Sequence, residues 1–160
     1  MIELSNGHKF EYMAASGALA FDGKGWPWEW PLRWLRILDP ALFTVVIKTL
    51  TFKPRKGNLR WYNPFGCIRL IKGGTLNAVG LTNPGIESWC RKIGPQINSR
   101  KIPLVGSILS DVPEELAKMA IMLNDFDLVA LEINASCPNT GADFLRNIQN
   151  IVKGVKAVKK

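Results

Sequence analysis

A chain of 160 residues, 47% of them hydrophobic, carries enough apolar material for one core and little for a second. Its 21 Lys and Arg against 13 Asp and Glu give a net charge of +8, which admits anionic small molecules, phosphates or nucleic acid without choosing among them. Three cysteines (Cys67, Cys90, Cys137) with no CxxC pair, and the single histidine His8, argue against a disulfide framework and against a metal site. MIELSNGHKF lacks the parts of a secretory signal, and no apolar run reaches the roughly 20 residues of a spanning helix, so a soluble protein in a reducing, cytoplasmic setting is expected.

The first strand candidate is Tyr12 to Leu19. The segment GKGWPWEWPLRW then concentrates four of the six tryptophans, and Pro27 and Pro31 should prevent regular helix until about Leu32. Trp26, Trp28 and Trp30 are expected to pack against the body of the protein, as large aromatics usually do. Phe43 to Lys48 is a second strand. Lys53 to Pro84, full of Pro, Gly and Asn, predicts loops or small hairpins, and a short helix follows around Ile86 to Ile93.

A third strand, Pro103 to Ile108, precedes a helix whose first turn is opened by Asp111 and Pro113. Glu114 and Glu115 stand at its positive end, and Leu116, Met119, Ala120 and Leu123 form its apolar stripe. Leu128 to Asn134 is the fourth strand. On the last helix Phe144, Ile148, Ile151, Val155 and Val158 recur at helical spacing, with Lys156, Lys159 and Lys160 in the final turn. The strand candidates are near-continuous apolar runs, the mark of strands buried on both faces of a parallel α/β sheet with crossover helices.

Polar groups gather where these strands end, which is where parallel α/β folds build their sites. The fourth strand runs into Asn134-Ala135-Ser136-Cys137-Pro138-Asn139, placing two amides, a hydroxyl and a thiol in a proline-containing turn. Asn77-Ala78-Val79-Gly80-Leu81-Thr82-Asn83 adds two more amides, and amides can read both donors and acceptors of a planar ring. Ala15-Ser16-Gly17 and Lys48-Thr49 close the first two strands. Taken alone, each has an ordinary reading: a small buried thiol, a turn-forming asparagine, a lysine snorkelling at a strand terminus.

In combination these stretches resemble the dihydroorotate dehydrogenase family, and most closely its cytosolic class with a cysteine base. AASGALAFDGKG, IKTLTFKPRKGN, GGTLNAVGLTNPG, IPLVGSI and LEINASCPNTG occur in family order over nearly the whole chain. The resemblance implies a flavin-binding (β/α)₈ TIM barrel that oxidises dihydroorotate to orotate in pyrimidine biosynthesis, with flavin mononucleotide (FMN) as cofactor. It implies that Cys137 removes the C5 proton while the C6 hydride passes to flavin N5. Lys48, Asn77, Val79, Gly80, Leu81, Asn134 and Asn139 would line the substrate site. Ala15, Ser16, Gly17, Lys48, Thr49, Ser107 and Asn134 would face the flavin.

The chain departs from the family pattern at Ile47, where threonine is frequent, and at Ser107, where an asparagine is common. It also departs in length, since a complete barrel takes about 250 residues and this chain supplies four βα units. Residues 1–160 therefore read as one unit, the N-terminal half of a barrel, expected to associate with itself or with the missing half and to be inactive alone. NxSCPN is shared with dihydropyrimidine dehydrogenase domains, the nearer alternative. A basic nucleic-acid module built on Lys53, Arg55, Lys56, Arg60 and Trp61 is the distant one, disfavoured because no nucleic-acid-binding motif accompanies it.

Overall fold

In the computed structural model, residues 1–58, 60, 63, 66–135 and 148–159 are described. An antiparallel hairpin, β1 (Ile2–Glu3) and β2 (Lys9–Phe10), opens the chain, turning through Asn6 and Gly7. The central sheet follows: β3 (Met13–Ala14), β4 (Thr44–Val46), β5 (Leu50–Thr51), β8 (Leu104–Leu109) and β9 (Ala130–Ile133). Between β5 and β8 a second hairpin, β6 (Ile68–Ile71) and β7 (Gly74–Asn77), stands apart from the sheet.

All pairings in the central sheet are parallel, and its order is β3, then β4 with β5, then β8, then β9. Neighbours in space are neighbours in sequence, joined by crossovers, which is the order of strands in the wall of a (β/α)₈ barrel. Among the described residues the sheet does not close. β4 and β5 pair with the same strand, yet four steps from Val46 to Leu50 face three from Val105 to Ile108. One residue is therefore bulged out between them, a device that re-aims side chains next to sites.

Helices α1 (Trp30–Trp34), α2 (Ile86–Lys92), α3 (Pro113–Leu123) and α4 (Ile148–Val158) complete the order. The core lies between β8 and the helices: Ile47, Leu50, Ile86, Trp89, Leu104, Ile108, Leu116 and Met119 are buried. Trp89 meets Phe126 edge to face at 5.4 Å, and its indole N–H donates to the Phe21 carbonyl at 2.8 Å. Gly94 sits under the same Phe126, whose ring would lie 2.5 Å from any Cβ added there.

Several expectations are corrected. The first strand spans two residues, not eight, because Gly17 turns the chain with φ +82°. A helix begins at Trp30 rather than Leu32, since Pro31 falls within the first turn, where its missing N–H costs nothing. Trp28, Trp30 and Trp34 are exposed, and only Trp26 turns inward, donating to the Gly17 carbonyl and stacking on Trp28 at 5.1 Å. Pro113 opens α3 as expected; Val112 holds the cap position, and Ser110 accepts from the Val112 N–H and donates to Glu115. On α4, Ile151 and Val158 pack inward while Ile148 and Val155 are exposed, since α4 lies against α3 and buries a narrower stripe. Phe144 and Lys160 fall outside the described residues.

Candidate active site at the strand ends

Past the ends of β3 and β4, within β8 and at the end of β9, five side chains from four segments meet in one hydrogen-bonded network. Ser16 Oγ lies 2.8 Å from Thr49 Oγ1 and 3.0 Å from the Ile47 carbonyl. Thr49 Oγ1 lies 2.9 Å from Ser107 Oγ, and the Asn134 side-chain amide donates to Thr49 at 2.7 Å. Ser107 Oγ donates to Glu132 Oε1 at 2.8 Å. Thr49 and Ser107 are 1% and 0% exposed, so this polarity is held in a dry setting where each bond counts for more than in water.

Local sequence explains the convergence. The bulge between β4 and β5 carries Lys48 and Thr49, turning the hydroxyl inward and leaving Lys48 half-buried. Lys48 donates its backbone N–H to Ala20, and its side-chain stem runs past Gly17, where an added Cβ would meet Lys48 Cγ at 3.4 Å. Glu132 and Asn134 are two residues apart and so share a face at the end of β9. Ser16, Gly17 and Asn134 are half-buried, and Ala15 is exposed.

The segment 77–85 behaves differently. Asn77 is exposed on β7 opposite Ile68, and the hydrogen bonds of the cluster do not reach it. Val79 and Gly80 are half-buried, and the Val79 carbonyl accepts from Asn58. Leu81 is buried with φ +55°. Asn83, 5% exposed, accepts from the Thr51 and Gly85 N–H groups and donates to the Leu81 carbonyl, so it staples its own loop to β5. Cys137 and Asn139 lie outside the described residues.

Sequence reasoning brought Ser16, Thr49, Ser107 and Asn134 to one site and missed Glu132. The available signal was a lone carboxylate inside the apolar run Leu131 to Ile133, on the face that Asn134 extends. Elsewhere, burial and then the nearby Asp125 carboxylate push the Cys90 thiol up, which keeps it protonated and unreactive. A cavity of about 850 Å³, bounded by Trp30, Arg33, Trp34 and Arg36, takes no residue from the cluster. Among the described residues, no His, Cys, Asp and Glu group is arranged to hold a metal ion, and no helix is long and apolar enough to cross a membrane.

The polar cluster lies across the ends of successive parallel strands, where α/β folds of barrel-wall order build their sites. A sequence model of the family described as Dihydroorotate dehydrogenase matches residues 33–158, and the chain belongs to that family. Among its relatives, the dihydroorotate dehydrogenase B (NAD(+)) catalytic subunit of Desulforudis audaxviator is 37% identical over 132 residues, covering 81% of this chain and 38% of the relative. The subunit of the same name from Maridesulfovibrio salexigens is 34% identical over 124 residues (75% and 39%), and that from Thermococcus kodakarensis 34% over 132 (81% and 41%). The chain spans about two fifths of the length of the curated relatives it matches.

Proposed function

We propose that residues 1–160 form one unit, the N-terminal half-barrel of an enzyme that oxidises dihydroorotate to orotate in the cytoplasm, with FMN as cofactor. The observation that carries this reading is the joining of Ser16, Thr49, Ser107 and Asn134 at the strand ends of a chain belonging to this family. The residues fit a planar ring: small Ala15 and Gly17 permit close approach, and hydroxyl, amide and ammonium groups match a rim of mixed donors and acceptors. Ala15, Ser16, Gly17, Lys48, Thr49, Ser107 and Asn134 would hold the flavin, which when bound supplies a hydride acceptor.

On the substrate side, Lys48 would offset the charge of the substrate carboxylate. Asn134, Asn139 and Asn77 would hydrogen-bond the ring, and the backbone of Val79, Gly80 and Leu81 would border it. Cys137 would take the C5 proton, a task within reach of a thiolate, whose reference pKa of about 8.5 makes the rate climb into mildly alkaline solution. The later strands of the barrel would supply the rest of the site, and the half-barrel would associate with them or with another copy.

Cys137→Ala in the full-length enzyme is expected to lower dihydroorotate oxidation by orders of magnitude, about the 10²–10⁴-fold typical of a lost general base, while orotate still binds. Stopped-flow measurement of flavin bleaching by dihydroorotate reads the first effect, and orotate titration the second. An unchanged bleaching rate in Cys137→Ala would refute the assignment.

A further inference from the structure

We propose that the cavity of about 850 Å³ beside α1 binds a nucleoside phosphate, with the base stacked on the indoles of Trp30 and Trp34 and the phosphate held by Arg33 and Arg36. The cavity is walled by residues 22–40 alone, apart from the hydroxyl and amide cluster at the strand ends, so the proposal stands independently of the dehydrogenase reading. Its size falls within the range that takes small organic ligands. Trp30 and Trp34 lie four residues apart on α1, hence on one face, and Arg33 shares that face three residues after Trp30. The two rings are 45% and 76% exposed, so a large part of each is open rather than spent on packing.

The charges choose the ligand. Lys24, Arg33 and Arg36 border the cavity together with Asp22 and Asp39, but the two carboxylates are engaged. Asp22 accepts the Lys24 N–H at 2.9 Å and pairs with its ammonium at 3.7 Å, and Asp39 accepts the Ala41 N–H at 2.9 Å. Among the described residues neither arginine pairs with a carboxylate. Arg33 gives one N–H to the Lys24 carbonyl, which pins its guanidinium at the cavity wall with donors to spare. Arg36 follows the Leu35 cap of α1 with φ +56°, a left-handed position that helices usually give to glycine. An arginine there costs backbone energy that glycine would avoid, and it sets a second guanidinium at the same cavity. Two guanidinium groups suit a phosphate, which accepts paired N–H donors, and two indoles suit a planar base. Inorganic phosphate would leave the indoles idle, and an apolar chain would leave the arginines unpaired.

The test is calorimetric titration of adenosine monophosphate (AMP), adenosine and inorganic phosphate into the full-length protein and its variants. AMP is expected to bind about tenfold or more tightly than adenosine or phosphate, with an affinity that falls as salt rises. Trp34→Ala should weaken AMP about tenfold, the scale of one lost base stack. Trp28→Ala, which removes an exposed tryptophan outside the cavity, should leave AMP affinity unchanged. Arg36→Gly separates binding from structure, because glycine tolerates the left-handed backbone: it should spare the thermal midpoint, weaken AMP about tenfold and leave adenosine unaffected. Equal affinity for AMP and adenosine, native AMP binding by Arg36→Gly, or no binding of AMP at all would overturn the proposal. So would a native protein that self-associates through this face, is made smaller by Trp34→Ala and binds no AMP, since the cavity would then belong to a second copy.

Discussion

Trp89 and Trp34 are the same residue on two short helices, and they could hardly be more differently placed. Trp89 is 0% exposed, wedged against Phe126 with its N–H satisfied by Phe21, whereas Trp34 is 76% exposed. The difference is in what surrounds them. Helix α2 also buries Ile86, and its tryptophan enters the space between sheet and α3, while prolines at 27 and 31 keep the aromatic segment in short turns from which the rings fan outward. Trp26, tied to Gly17, links that segment to the strand ends. Aromatic density marks where a core could form, and the geometry of the supporting backbone decides whether it does.

The contrast can be broken most forcefully at its buried end. Trp89→Ala is expected to cost about 3–5 kcal/mol, read as a lowered denaturant midpoint with little change in slope. Gly94→Ala attacks the same packing from beneath, because a methyl group there collides with the Phe126 ring, a rigid neighbour with no flexible end to move aside. Its cost should be about 1–3 kcal/mol, and a larger residue should cost more.

A smaller effect sharpens the edge of this region. Asp127 accepts from the Ser99 N–H at 2.8 Å and Ser99 Oγ at 2.7 Å, and those bonds, the side-chain one foremost, hold its carboxyl below the usual range. A carboxyl with a lower folded than unfolded pKa stabilises above the unfolded value and loses that contribution as pH falls through the folded one. The Ser99→Ala midpoint should therefore approach that of the native chain in urea titrations carried from pH 6 down through the acid range. A gap that stays constant with pH would refute this. Smallest is Trp34→Ala, expected within about 0.5 kcal/mol of native stability because the ring leaves little behind.

Legibility followed the same division. The strands around Val45, Val105 and Leu131 and the stripe of α3 could be read because burial on both faces, or on one helical face, imposes a pattern on consecutive residues. Ser16, Thr49, Ser107 and Asn134 were legible as strand-end polar residues of a resembled family. Glu132 was not, because its partner Ser107 lies 25 residues away, and no local period records a cross-strand hydroxyl. Asn83 and Asn77 look alike in sequence, yet one is consumed by its own loop and the other is exposed. The N-terminal hairpin lies outside the expected strands, although Asn6-Gly7 between two short runs is itself a hairpin signal.

That hairpin has a kinetic consequence. The Asn6 side chain donates to the Val129 carbonyl at 2.6 Å, and His8 Nε2 meets Thr44 Oγ1 at 2.8 Å, so one small turn is buttoned to the beginnings of both β9 and β4. The first of these links joins residues 123 positions apart. Closing so long a loop is costly before the strands it joins exist, and cheap once they are in place. The hairpin thus belongs to the last contacts made in folding and the first lost in unfolding, a clasp whose release would loosen the bottom of the sheet while the polar chain at its top stays intact.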